Sequence, residues 1–200
     1  MAIIYNEKNH IFKLDTKNTS YLIGISPEGY VGHVYYGEKL AHEDAYYLLR
    51  TEEPPFTPSK NEREKSSFLD FFPMEYPCGG VGDYRESCIN IRNEQGCMGS
   101  EFFYDSYEIK SGKPKLEGLP ASFGTEDEVT TLEITCKEPV LDLELILSYS
   151  VFAKENIITR NVKVVNTGSN TVKLEKVYSA CLDMDNENFE MLTLHGSWAR

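Results

Sequence analysis

A period-two alternation of apolar and polar side chains runs through the second half of the chain and commits it to sheet structure. Across Thr131-Leu132-Glu133-Ile134-Thr135-Cys136 the even positions are apolar and the odd ones polar. Leu141, Leu143, Leu145, Leu147, Tyr149 and Val151 then alternate with Asp142, Glu144, Ile146, Ser148 and Ser150, and Val162, Val164, Val172 and Leu174 continue the pattern. Successive side chains on a strand point to opposite faces, so each run reads as a strand with one face on a core and one in water. Asn166-Thr167-Gly168-Ser169-Asn170 is the turn between two of them, because Asn and Gly tolerate the positive φ of a chain reversal. After Leu174 the alternation slips at Lys176-Val177, which predicts a bulge.

The first half carries shorter candidates: Ile11–Leu14, Tyr21–Ile25, Val31–Tyr36, Ile89–Arg92 and Phe102–Ile109. Pro27-Glu28-Gly29 supplies one turn, and Asn93-Glu94-Gln95-Gly96 is expected to close Ile89–Arg92 into a hairpin. Only Glu43–Arg50 could hold a short helix. Met191–Leu194 reads as a short apolar strand. Many short strands with turn signals between them define the fold class as all-β, an antiparallel β-sandwich. Residues 51–66 do not fit the meander: three prolines among clustered charges make a long loop, and loops of that length are usually functional. Gly112–Gly118 is a second loop.

Charge narrows the partners. The 200 residues carry 32 acidic and 20 basic side chains, a formal net charge of -12. That balance repels phosphate backbones and anionic lipid, so neither nucleic acid nor a membrane is an expected partner. No run of about 18 apolar residues is present to span a bilayer. The amino terminus lacks the basic start and apolar run of a signal peptide, which points to a cytoplasmic protein. Five cysteines (Cys78, Cys88, Cys97, Cys136, Cys181) at loose spacings, without a C-x-x-C pair, read as reduced and mostly buried thiols. No cofactor fingerprint and no metal-ligand spacing appears, and His10, His33, His42 and His195 are scattered.

Nucleophile motifs are likewise absent. Asp183 and Asp185 sit two apart, but carboxylates on one strand project in parallel, whereas glycoside hydrolysis needs a pair that flanks a bond. They read as solvated acids. Tyr35, Tyr36, Tyr46, Tyr47, Phe71, Phe72, Phe102, Phe103 and Tyr104 suit either stacking on sugar faces or a core.

Several stretches together resemble the amino-terminal portion of the family 36 glycoside hydrolases, the bacterial α-galactosidases. They are Gly29-Tyr30-Val31-Gly32-His33-Val34-Tyr35-Tyr36-Gly37, Glu75-Tyr76-Pro77, Gly82-Asp83-Tyr84-Arg85, Gly112–Ala121, Thr131–Ile134, Ile158-Thr159-Arg160 and Gly196-Ser197-Trp198-Ala199-Arg200. The resemblance implies that residues 1–200 form an N-terminal β-supersandwich domain that stops short of its own C-terminal end, with the catalytic (β/α)8 barrel absent. It also implies that two aspartates on that barrel carry a configuration-retaining reaction, so no catalytic residue and no cofactor or metal is expected in this chain.

The same resemblance implies that the segment 51–66 reaches a neighbouring subunit's sugar pocket in tetrameric members. Glu53 falls where the family usually shows aspartate, and Lys65 where it often shows arginine. Trp198 falls at the family's Gly-x-Trp-x-Arg position, where the indole stacks on galactose. The expected substrate-binding residues are therefore Trp198, Glu53 and Lys65. The expected partners are α-galactosides of the raffinose or melibiose type and further copies of the chain. A freestanding carbohydrate-binding or oligomerisation module is the alternative, and a sugar phosphorylase with a similar front domain is a third reading.

Overall fold

A computed structural model of the chain describes residues 2–49, 51, 68–80, 83–118, 121–184, 188, 190–194 and 196. Two four-stranded antiparallel meanders face one another. The first holds β1 (Ile3–Asn6), β2 (Ile11–Asp15), β3 (Thr19–Ile25) and β4 (Val31–Glu38) in that spatial order. The second holds β6 (Phe103–Ser111), β7 (Val129–Glu138), β8 (Leu143–Phe152) and β9 (Ile157–Asn166), again in chain order. A two-stranded ribbon pairs β5 (Ile89–Arg92) with β10 (Lys173–Val177). The all-β sandwich read from the alternation is the observed class.

The core lies where the alternation puts it. Leu132, Ile134 and Cys136 of β7 and Leu143, Leu145, Leu147, Tyr149 and Val151 of β8 meet Phe12, Leu14, Tyr21, Ile23 and Ile25 of the first sheet in one buried cluster. Burying each such side chain is worth about 1.5–3 kcal/mol relative to exposure. Nearly all of β3 is buried, on both faces. One face joins this core. The other lies under the excursion between β4 and β5, where Leu22 packs with Ile11 and Ala45.

Four local expectations change. Asn93–Gly96 does form a tight turn, with the Gly96 N–H donating to Asn93 O at 3.0 Å, but the strand beside β5 is β10, pairing Lys173 with Arg92. The Arg92 Nε to Glu175 Oε1 contact of 2.8 Å ties the two strands together. Glu43–Arg50 yields only a single 3-10 turn, Tyr46–Leu48. Met191–Leu194 forms no strand, and Met191, Leu192 and Leu194 are 93, 84 and 86% exposed, because no neighbouring strand among the described residues offers them a face. β1 has no alternating signature, yet it pairs with β2 from Ile3 opposite Leu14 to Asn6 opposite Ile11. The predicted bulge occurs, with a register shift between Leu174 and Lys176.

Candidate functional site

The three residues expected to touch sugar, Glu53, Lys65 and Trp198, lie outside the described residues. What the structure does place is the frame from which the segment 52–67 departs. Leu49 on one side and Phe68 on the other belong to one buried cluster with Tyr30, Leu69, Phe72 and Met74. Phe68 meets Phe72 edge to face at 5.2 Å and Tyr30 at 5.8 Å. Gly32 of β4 makes this packing possible. A Cβ there would lie 2.6 Å from Leu49 Cδ1 and 2.6 Å from Phe72 Cζ, inside any real contact distance.

Immediately after Phe68, residues Asp70, Phe71, Phe72 and Pro73 line a cleft of about 360 Å³ with Asp83, Tyr84, Arg85 and Asp183. Phe71 is 45% and Tyr84 86% exposed, so the cleft carries open aromatic faces beside carboxylates. Aromatic faces and carboxylates are the two groups that hold a neutral sugar, one against its C–H face and one accepting from its hydroxyls.

Arg85 organises this rim. Its Nε donates to Asp83 Oδ1 at 3.0 Å and its Nη2 to Asp83 Oδ2 at 2.7 Å, a two-pronged grip on a carboxylate that is only 3% exposed. Nη1 pairs with Asp183, and Nη2 also donates to Met74 O at 2.9 Å. Asp183 is thus a solvated acid, 61% exposed, that also pairs with Arg85. Asp185 lies outside the described residues. The Arg fork matches carboxylate geometry and fixes direction as well as energy.

One residue beyond Met74 sits the most buried charge among the described residues. The Glu75 side chain is fully enclosed between the two sheets. Tyr21 OH of β3 donates to both carboxylate oxygens at 2.8 Å, and Tyr149 OH of β8 donates to Oε1 at 2.7 Å. Arg160 Nη2 of β9 lies 2.7 Å from Oε1, and His33 Nδ1 of β4 lies 3.4 Å from Oε2. The guanidinium also sits 4.9 Å from the centre of the Tyr149 ring.

Burial alone would raise the Glu75 pKa, but the charge of Arg160, the His33 contact and the Tyr149 hydrogen bond together bring it below the usual carboxylate value. Burial raises both phenols, so each stays protonated and donates. Three of the motif stretches, those containing His33, Glu75 and Arg160, meet at this one point. Sequence reading missed the convergence, although Arg160 carried a signal. On β9 it shares the core-facing parity of Ile158, Val162 and Val164, and a lone charge in such a row needs a buried partner.

Glu75 is sealed from any substrate and already committed to four partners. All five cysteines are free, with Cys78, Cys88 and Cys136 buried, and burial pushes the Cys136 thiol up to about 12. Among the described residues no group of His, Cys, Asp or Glu could hold a metal ion. No described helix is long and apolar enough to cross a membrane.

Comparison with known proteins agrees with this geometry. Residues 29–200 match the model of the glycosyl hydrolase family 36 N-terminal domain. The chain is 39% identical to the bifunctional alpha-galactosidase/sucrose kinase AgaSK of Mediterraneibacter gnavus and 30% identical to alpha-galactosidase AgaA of Geobacillus stearothermophilus, in both cases over its whole length. It spans 21% and 28% of those two proteins, about a quarter of their length. The solved galactosidase domain of AgaSK superposes with a TM-score of 0.82 at 40% identity, covering 90% of this chain and 25% of that one. The Geobacillus AgaA A355E D548N variant solved with raffinose superposes at 0.77 with 30% identity, covering 84% of this chain and 24% of that one. A fold carried by two facing meanders, motif stretches that meet on one buried carboxylate, and a match over residues 29–200 place this chain in glycoside hydrolase family 36, as its N-terminal domain.

Proposed function

We propose that the protein of which this chain forms the N-terminal domain releases terminal α-linked galactose from oligosaccharides of the raffinose type. The reacting carboxylates come from outside these 200 residues. The chain contributes walls of the sugar pocket and contacts between subunits. The superposition on the AgaSK galactosidase domain carries this reading, and the frame that fixes both ends of the segment 52–67 supports it from within the chain.

Within that reading, Trp198 stacks on the galactose ring, Glu53 accepts from a hydroxyl and Lys65 donates to one. The test joins this chain to the remaining part of the AgaSK galactosidase domain. In that enzyme Trp198→Ala is expected to lower kcat/KM about 30-fold, the effect of losing about 2 kcal/mol of aromatic contact. Activity within two-fold of the parent would contradict the assignment.

The protein is proposed to work as a cytoplasmic homo-oligomer. Free, largely buried thiols are compatible with a reducing compartment. Leu182, Met184, Met191, Leu192 and Leu194 are exposed apolar side chains near the end of the described residues, of the kind that association between copies would cover. Light scattering over a dilution series is expected to show a mass that falls with dilution, and a clean monomer at high concentration would contradict it.

A further inference from the structure

On the face of the second sheet turned away from the core, the loop after β6 borders a cleft of about 540 Å³. Its floor is two cross-strand rows that the register builds. Lys110, Thr131, Ser150 and Thr159 sit opposite one another on β6, β7, β8 and β9, and Glu108, Glu133, Ser148 and Asn161 form the next row. Lys163 lies opposite Ile146 one row further, and Lys113 and Lys115 come from the bordering loop.

The proton inventory of this floor is one-sided. Thr131 Oγ1 donates its only proton to Gly112 O at 2.7 Å, so the Ser150 hydroxyl, 2.9 Å away, donates to Thr131. Ser148 donates to Glu133 Oε1 at 3.3 Å, and Lys110 holds Glu133 Oε2 at 2.6 Å. Glu133 is the carboxylate that lines the cleft among the described residues, and it is satisfied by its neighbours, while Glu108, at the exposed edge strand of the same row, pairs with Lys110 at 3.1 Å. Lys113, Lys115 and Lys163 have no acidic partner among the described residues, and the Thr159 hydroxyl and Asn161 amide are likewise uncommitted. Three lysines without an acidic partner among the described residues line a cleft in a chain whose net charge is -12. Among the described residues no Phe, Tyr or Trp lines it, and the lining they supply is basic and hydroxylic rather than the aromatic platform on which an uncharged sugar stacks.

We infer that this cleft binds a small phosphorylated metabolite of sugar-phosphate size, with the phosphomonoester held by Lys113, Lys115 and Lys163 and the remainder of the molecule on the Thr159 and Asn161 floor. Separate ammonium groups suit a tetrahedral dianion, whereas a planar carboxylate favours the fork of an arginine. The volume is that of an ordinary small-ligand site, roughly 300–1,000 Å³. The site stands apart from the galactoside reading and does not depend on it.

Isothermal titration calorimetry of the 200-residue chain tests it with three probes: a hexose 6-phosphate, the same hexose without phosphate, and inorganic phosphate. The hexose phosphate is expected to bind with a dissociation constant below about 1 mM and to weaken at least ten-fold between about 50 and about 300 mM salt. The free hexose gives no heat, and inorganic phosphate binds more weakly than the sugar phosphate. The Lys113→Gln/Lys163→Gln variant, altered only at side chains with no acidic partner among the described residues, is expected to lose at least ten-fold in affinity while keeping the parent circular dichroism. Absence of heat with the hexose phosphate, equal heats for hexose and hexose phosphate, inorganic phosphate binding as tightly as the sugar phosphate, or unchanged affinity in the double variant would each overturn it.

Discussion

Glu75→Gln is expected to lower the unfolding free energy by about 3–5 kcal/mol, the cost of leaving one member of a buried ion pair without its counter-charge. Glutamine keeps the shape of the side chain, so the loss is electrostatic rather than a cavity. The Arg160 guanidinium, on a side chain only 11% exposed, would face two phenol hydroxyls and no anion. Against a typical domain stability of about 5–15 kcal/mol this is a large share. A urea titration reads it as a lower midpoint with an unchanged slope. Glu75→Gln/Arg160→Met is expected to recover about half, since removing both charges restores neutrality.

The same carboxylate gives a pH signature. Its native pKa is lowered, with desolvation outweighed by Arg160, His33 and the Tyr149 hydrogen bond. A group lowered on folding stabilises fully above its unfolded pKa, about 4.3, and loses that contribution as pH falls through the native value. The parent protein is therefore expected to lose stability in acid, below the ordinary carboxylate range, by more than Glu75→Gln does. Parallel acid limbs for the two proteins would contradict the assignment.

Arg85→Ala is the second large effect, about 2–3 kcal/mol, or a fall of roughly 5–10 °C in melting temperature. The change strips two donors from the nearly buried Asp83, one from Met74 O and the partner of Asp183. Arg85 is itself 28% exposed, which keeps the cost below that at Glu75. Arg85→Lys restores the charge but not the two-pronged grip, so it is expected to recover less than half. In the joined enzyme the alanine variant should raise KM, because Arg85 holds Asp183 at the rim of the cleft that Tyr84 also lines. An unchanged melting temperature would mean that Asp83 finds another partner.

Strand content was legible where packing is one-sided. β7 and β8 face a core with one set of side chains and water or a covering loop with the other, so their alternation survives in the residue order. β1 was not legible, because Ile3 and Ile4 are both apolar although only Ile3 is buried. The β5 to β10 pairing joins residues about 80 positions apart, and a local turn signal at Asn93–Gly96 pointed to the wrong partner. The Glu75 cluster is legible only in part. Burial of a charge depends on five elements arriving together, and of these only Arg160 betrays itself by its place in an apolar row. The family motifs marked His33, Glu75, Arg85 and Arg160 as notable, but not that Glu75 binds two of the others and that Arg85 grips the residue beside it.

The division of labour between a framing domain and chemistry supplied from outside it is tested most directly by nitrophenol release. Purified as 200 residues, the chain is expected to release none above background from p-nitrophenyl α-galactoside, while the same chain joined to the remaining part of the AgaSK galactosidase domain releases it steadily. Turnover by the 200-residue chain at a rate comparable to the joined enzyme would contradict the account.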